Sequence, residues 1–247
     1  MIDNLRVQKY GGSSLESIEK VKAIAEQISK DYAKGDRFLI VVSAMGKATD
    51  DLMNLAQTVS PNPNQRELDM LLTAGERISV SLMALALNTC KTPAISFTGS
   101  QAGIITDGVH GDASIVEVRP TRVVEALQQS KIVIIAGFQG VSKETKDVTT
   151  LGRGGSDTTA IAMASHFRCA SCEFKKDTEG IFTKDPHKFP DAQHIPKMTW
   201  SEIVEATQKG SPFLHHKAAT LAQQEQMPLI LGHAHKPEGL FTRVEGA

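Results

Sequence analysis

Short apolar runs rich in β-branched residues alternate along this chain with segments whose apolar residues recur every three to four positions, an alternation that confines the fold to α/β architectures. The runs at residues 5–10, 38–43, 94–98, 132–136 and 229–231 are almost continuously apolar. A strand covered by helices on both faces has no polar side to display, so these runs are expected to be mostly parallel and central. Between them, Leu15, Ile18, Val21, Ile24, Ala25 and Ile28 mark one helix face, with Ser13 and Glu16 as a capping box at its start. A second helical region covers about 66–88, with Gly75 inside it, and a third, small-residue helix covers 157–167. A chain of 247 residues can bury about 70% of its unfolded surface and needs no staples.

Charge narrows the functional classes. Lys and Arg number 27 against 28 Asp and Glu, a net charge of −1, which excludes a phosphate-coating basic protein and an acidic solvating tail. No nucleic-acid partner is expected. The apolar stretch 78–87 is interrupted by two serines and is about half of a roughly 20-residue membrane span. The first six residues lack the layout of an export signal, so a soluble, cytoplasmic protein with no membrane partner is expected. Three cysteines do not make a disulfide framework. Cys169 and Cys172 form a C-x-x-C pair behind His166, but no fourth ligand has matching spacing, and two small apolar side chains between a helix and a strand is the reading favoured over zinc. The proline-bearing loop at 60–64 is the clearest internal break.

Two glycine turns carry the chemistry. Lys9-Tyr10-Gly11-Gly12-Ser13-Ser14 stands where the first strand should pass to the first helix; paired glycines let backbone N–H groups approach an anion, and Lys9 adds a point charge. Gly152-Arg153-Gly154-Gly155-Ser156-Asp157 repeats the device before the small-residue helix. Arg153 can take a carboxylate through two parallel hydrogen bonds, and Asp157 can hold Lys9 in place. Ser43 to Thr49 follows a buried strand, and Glu76 follows Gly75 in a helical region, where it could receive an amine. Taken singly, each feature also fits a tight turn or an exposed helix residue. A dinucleotide fingerprint, a Walker A loop and the protein-kinase signatures are all missing from the sequence.

Five segments in order resemble the amino acid kinase family, and its aspartate kinase branch in particular: Val7-Gln8-Lys9-Tyr10-Gly11-Gly12-Ser13-Ser14, Val41-Val42-Ser43-Ala44-Met45-Gly46, Leu71-Leu72-Thr73-Ala74-Gly75-Glu76-Arg77, Phe97-Thr98-Gly99-Ser100-Gln101-Ala102-Gly103, and residues 150–160 around the second glycine turn. The resemblance implies a single domain over 1–247, a three-layer αβα sandwich with a mostly parallel central sheet. It implies an acceptor-binding lobe over about 1–150 and a nucleotide-binding lobe over about 151–247, with no regulatory ACT domain. The implied activity is transfer of the ATP γ-phosphoryl group to the side-chain carboxylate of L-aspartate. Lys9 and Asp157 would be catalytic, and Gly11, Gly12, Ser13, Gly154 and Gly155 would cradle phosphate. Ser43, Thr49, Glu76, Arg153 and Ser156 would hold aspartate; Lys176, Asp177, Gly180, Phe182, Lys184, Asp185, Pro186 and His187 would take ATP. Mg²⁺ would arrive with ATP and need no dedicated protein ligands, and a homodimer is usual in the family. Another small acid as acceptor, or a non-catalytic binding subunit, stays open beside this reading.

The nucleotide side departs from the family pattern. Phe182 keeps a ring without a hydroxyl, Lys176 stands for a threonine and His187 for an arginine. In Gly210-Ser211-Pro212-Phe213-Leu214-His215-His216 a proline occupies the place of a lysine expected near the phosphates, and Lys176 or Lys184 is expected to replace it.

Overall fold

In the computed structural model, which describes residues 4–186, 188–211 and 213–246, β1 (Leu5–Tyr10) passes through Gly11 and Gly12 to one 3-10 turn (Ser13–Leu15) and then to α1 (Ile18–Ala33). The first half continues with β2 (Arg37–Val42), α2 (Ala48–Val59), α3 (Gln65–Leu72), α4 (Ala74–Thr89), β3 (Ala94–Phe97), β4 (Ile104–Thr106), β5 (Ile115–Val118), α5 (Thr121–Gln128), β6 (Ile132–Ala136), β7 (Gln139–Ser142) and β8 (Val148–Thr150). The second half holds α6 (Gly155–His166), β9 (Cys172–Lys176), β10 (Ile181–Phe182), β11 (His194–Ile195), β12 (Lys197–Met198), α7 (Trp200–Gln208), α8 (His216–Gln224), β13 (Leu229–His233) and β14 (Phe241–Val244).

Eight strands form the main sheet in the order β12-β14-β13-β9-β1-β2-β6-β3, and every pairing is parallel except β13 with β14. Alternation along the strands builds the three layers. On β2, Phe38, Ile40 and Val42 join Val21, Ile24 and Ile28 of α1 and Met83 and Leu87 of α4 in one core. Leu39 and Val41 face the opposite way, into a second core with Ala160 and Ile161 of α6 and Val123 and Leu127 of α5. Both faces are covered, which is why these strands are apolar throughout. Each fully buried Val, Leu or Ile contributes on the order of 1.5–3 kcal/mol, so two cores, one on each face, fix the register of the sheet. A four-stranded sheet, β5-β4-β7-β8, and the pair β10-β11 stand beside it.

Three expectations need correction. The run at 94–98 is not central: β3 closes one edge of the sheet, and three of its four residues are only half-buried. Ser13 and Glu16 form no capping box, because Ser17 caps α1 by accepting from the Lys20 N–H at 3.3 Å. Residues 13–15 belong instead to the 3-10 turn, and Glu16 pairs with Lys20. The stretch 78–87 also understates the apolar helix, since α3 and α4 adjoin at Thr73 and the span Gln65–Thr89 contains a window of mean hydropathy 1.5. By length and composition alone it could cross a membrane; half of that window is buried here, with Met83 and Leu87 in the core.

Cys172 lies on β9 at 0% exposure within the second core, and burial pushes its thiol well up, as it pushes Cys169 to about 11. Both thiols therefore stay protonated at neutral pH and pack as small side chains.

Candidate active site

β1 delivers Lys9 and the Gly11-Gly12 turn to the carboxyl end of the parallel sheet, where ligands of open α/β sheets bind. Gly12 sits where a side chain has no place, whereas a Cβ on Gly11 would make only ordinary contact. A Cβ on Gly12 would lie 2.7 Å from the Ala44 carbonyl oxygen, and one on Gly11 would lie 3.8 Å from Lys9 Nζ. The two residues face different spaces. Gly12 lines a cavity of about 540 Å³, and Gly11 lines a second of about 670 Å³.

The second glycine turn closes the first cavity. Gly152 and Gly154 adopt φ of 72° and 74°, the left-handed region that favours glycine, and a Cβ on Gly154 would lie 2.1 Å from His215 Cβ. That turn places Gly154 as the N-cap of α6 and Asp157 in its first turn. Asp157 then meets Lys9 at 2.6 Å, with both side chains nearly buried. Burial alone would push the Asp157 carboxyl up, but the charges of Lys9 and Lys176 outweigh it and hold the group below the ordinary carboxylate range.

The 540 Å³ cavity is lined by Lys9, Gly12, Ser43, Thr49, Glu76, Arg153, Gly154, Gly155, Ser156 and Asp157, so every residue assigned to the acceptor reaches one space. Gly75 makes this possible for Glu76. A Cβ there would lie 2.8 Å from Ala44 Cβ, and the close approach lets Glu76 accept the Ala44 N–H at 3.1 Å. Its other oxygen, Oε2, is buried without a hydrogen-bond partner among the described residues. Desolvation pushes the carboxyl up to about 7, against the Ala44 hydrogen bond and the charge of Lys9. An orphaned, buried carboxylate oxygen in a cavity is a receptor for a donor the chain does not supply. Arg153 is exposed at the mouth, and no ion pair within 4.0 Å engages it among the described residues.

Gly11, Ser13, Lys176, Asp177, Gly180, Phe182, Lys184, Asp185 and Pro186 line the 670 Å³ cavity, so the nucleotide residues also converge. His187 and Pro212 lie outside the described residues. Lys184 is committed at the surface, 2.6 Å from Asp191 and over the Phe189 ring. A larger cavity of about 840 Å³, between β5, α6 and α8, contains none of the residues assigned to the acceptor, the phosphates or the nucleotide, though His166, His215 and His216 line it.

Asp69 escaped the sequence reading. It is 1% exposed, lines the acceptor cavity and accepts from Thr150 Oγ1 at 2.6 Å and from the Gly111 N–H at 3.2 Å, while His110 Nδ1 lies 2.7 Å away. One signal was present: Asp69, Leu72 and Glu76 share a helical stripe three and four residues apart, and an acid on a stripe with Leu72 is out of place unless it is partnered. Phe138, on the same cavity with φ 69°, left no such mark.

A match to the amino acid kinase family spans residues 4–233. The chain belongs to the amino acid kinase family. Among its members, the aspartokinase of Corynebacterium glutamicum is 51% identical over 225 residues, covering 91% of this chain and 53% of the relative. The aspartate kinase structure from Synechocystis superposes with a TM-score of 0.85 at 40% identity, over 98% of this chain and 40% of that one. At 21% identity, E. coli aspartokinase III in complex with aspartate and ADP shares the fold, with a TM-score of 0.84 over 98% of this chain and 65% of that one. The chain thus spans about half the length of the curated relatives it matches. For an amino acid kinase, the three-layer sandwich with a mostly parallel sheet is the architecture the sequence led us to expect.

Proposed function

We propose that the chain is an aspartate kinase catalytic domain, transferring the γ-phosphoryl group of ATP to the side-chain carboxylate of L-aspartate, the first step toward aspartate-derived amino acids. The observation that carries this reading is the Lys9–Asp157 pair beside the Gly11-Gly12 turn, where an acceptor cavity and a second cavity abut. The 51% identity to an aspartokinase supports the choice of acceptor.

In this reading the aspartate side chain, with a reference pKa of about 3.9, attacks as a carboxylate and needs no general base. The obstacle is repulsion between an anionic nucleophile and a polyanionic donor, so the chain's task is positioning and charge neutralisation. Glu76 receives the ammonium of aspartate on its free Oε2. Arg153 takes the α-carboxylate, with Ser43, Thr49 and Ser156 completing the pocket. Lys9, the N–H groups of Gly11 and Gly12, Ser13, and the N-terminal turn of α6 at Gly154 and Gly155 face the migrating phosphoryl group; Asp157 orients Lys9. The loop from Lys176 to Pro186 takes the nucleotide. ATP enters as its magnesium complex. No three His, Cys, Asp or Glu side chains converge as a metal cage among the described residues, which suits an ion that keeps its water and phosphate oxygens. Acceptor and nucleotide lobes then divide near residue 150, with Gly11 and Ser13 reaching across to the nucleotide and Arg153 and Ser156 reaching back to the acceptor.

Incubating the chain with Mg²⁺, ATP and L-aspartate and trapping the acyl phosphate with hydroxylamine should give aspartyl hydroxamate. Product with a different acid, and none with aspartate, would reassign the acceptor; none with any acid would remove the kinase reading. Light scattering on the same sample tests the homodimer.

A further inference from the structure

Lys217 stands in the first turn of α8, where a positive charge meets the positive end of the helix dipole, so the groups that hold it must outweigh its own helix. His215 caps α8, its Nδ1 accepting the Lys217 N–H at 3.4 Å, and side chains in a first turn lean back toward the helix start. The ammonium thereby reaches Asp112 Oδ1 at 3.0 Å, the Ala113 carbonyl at 3.1 Å and the Leu151 carbonyl at 3.3 Å. Three acceptors match its three donors. Ala113 and Leu151 are both 0% exposed, and neither carbonyl accepts from another group among the described residues. Removing the ammonium would leave both without a donor.

These contacts converge behind the wall of the acceptor cavity. Leu151 leads directly into Gly152 and Arg153. Asp112 lies so close to Gly152 that a Cβ there would come 2.5 Å from the same oxygen that Lys217 holds, and His215 leaves Gly154 no room for a side chain. The segment 111–113 is gripped from two sides, since Asp69 of α3 accepts the Gly111 N–H while Lys217 of α8 takes the next two residues. No ion pair within 4.0 Å engages Arg153 among the described residues, so the backbone of the turn decides where its guanidinium points.

We propose that Lys217 is a positioning residue for the acceptor: by holding Asp112 and the Ala113 and Leu151 carbonyls, it fixes the turn that aims Arg153 at the α-carboxylate of the bound acid. The inference deepens the aspartate kinase reading and rests on it for the substrate. Lys217 lines neither the acceptor nor the nucleotide cavity. It acts through Arg153, from the wall of the 840 Å³ cavity behind the turn.

Lys217→Met, Lys217→Arg and the combination of Lys217→Met with Arg153→Ala test this. Lys217→Met should raise the KM for aspartate roughly ten- to hundredfold, the scale of a misplacement of about 1 Å, and leave that for ATP within about twofold. Lys217→Arg keeps the charge and N–H donors and should recover part of the affinity. Because Lys217 acts through Arg153, adding Lys217→Met to Arg153→Ala should raise the aspartate KM by less than about twofold more. Unchanged binding of a non-hydrolysable ATP analogue, by calorimetry, guards against a folding defect; if Lys217→Met does not fold, Lys217→Gln, which keeps two donors without the charge, takes its place in both comparisons. A near-wild-type aspartate KM in the single variant, equal rises for both substrates, or full additivity with Arg153→Ala would overturn the assignment, the last because a charge acting through space adds where a shared turn does not. Should wild type phosphorylate no acid, the kinase reading fails by itself. Lys217 is then judged by amide hydrogen exchange over residues 111–114 and 151–155, where faster exchange in the variant supports its hold on the turn and unchanged exchange overturns it.

Discussion

Glu76 is the residue whose energetics can be followed furthest. Its carboxyl titrates near 7 rather than 4.5, so between those values the folded chain holds a proton that the unfolded chain has released. The stability this contributes is complete below about pH 4.5 and is lost as pH rises through about 7; at pH 8 the ionised group costs up to about 3 kcal/mol. Glu76→Gln keeps the Ala44 hydrogen bond and removes that cost. Melting curves should show a raised Tm at pH 8 and little change at pH 4.5, while the KM for aspartate rises at least about tenfold. In wild type the same KM should climb as pH falls below 7, because a protonated Glu76 cannot pair with an ammonium. A lowered Tm at pH 8 would remove the desolvation argument. Arg153 acts at the mouth, and Arg153→Ala should raise the KM for aspartate roughly ten- to hundredfold and leave that for ATP nearly unchanged; parallel changes in both would dissolve the partition of the two cavities. Arg153 and Glu76 were legible because glycines flank them in the sequence. Asp69 was not, since its three partners, His110, Gly111 and Thr150, are 41 to 81 positions away and no local pattern records them.

At the scale of elements, Asp69 ties α3 to the 107–114 loop and to β8, the segments that wall the acceptor cavity on one side. Asp69→Asn can keep the Thr150 and Gly111 bonds on Oδ1, but an amide nitrogen in place of Oδ2 loses the second share of the Gly111 N–H and the negative charge beside His110 Nδ1. We expect a loss of about 2 kcal/mol in chemical denaturation and a several-fold rise in the KM for aspartate, with the KM for ATP unmoved; a change confined to stability would reduce Asp69 to a structural role. Elements with strong periodicity were readable in advance: β1 and β6 begin and end where the apolar runs do. The start of α1 was misread because Ser13 and Ser17 offer the same cap four residues apart, and the paired glycines draw the earlier serine into the 3-10 turn. Short strands of the small sheet, such as Gln139–Ser142 and Val148–Thr150, carry too few residues and too many polar ones to show a period. Edge position was equally hidden for β3, whose apolar run looks like that of a central strand.

Across the whole molecule, α6 is the element that binds the halves. Its Ala160, Ile161 and Met163 share one core with Val7, Leu39 and Val41 from the first half and with Phe174 and Leu229 from the second. Two lobes that share a core should not melt separately. Denaturant unfolding followed by far-UV circular dichroism and by fluorescence of Trp200, the sole tryptophan, should give coincident transitions. Trp200 starts α7 and donates to the Met227 carbonyl at 2.9 Å, so it reports on the second half; an earlier fluorescence transition would mean that the lobes part first. The apolar runs foretold mostly parallel strands covered by helices, and the family resemblance implied the sandwich, but the pairing of β9 between β1 and β13 is a long-range choice that only the assembled sheet reveals. One feature ties this architecture to the history such a protein can have. Gly11 and Gly12 are neighbours on a single bend, yet they look into separate rooms. The single peptide bond that joins them leaves no slack for remodelling either room at that bend alone, so a lineage that retuned its donor there would disturb its acceptor as well, and both tastes would be inherited as a pair.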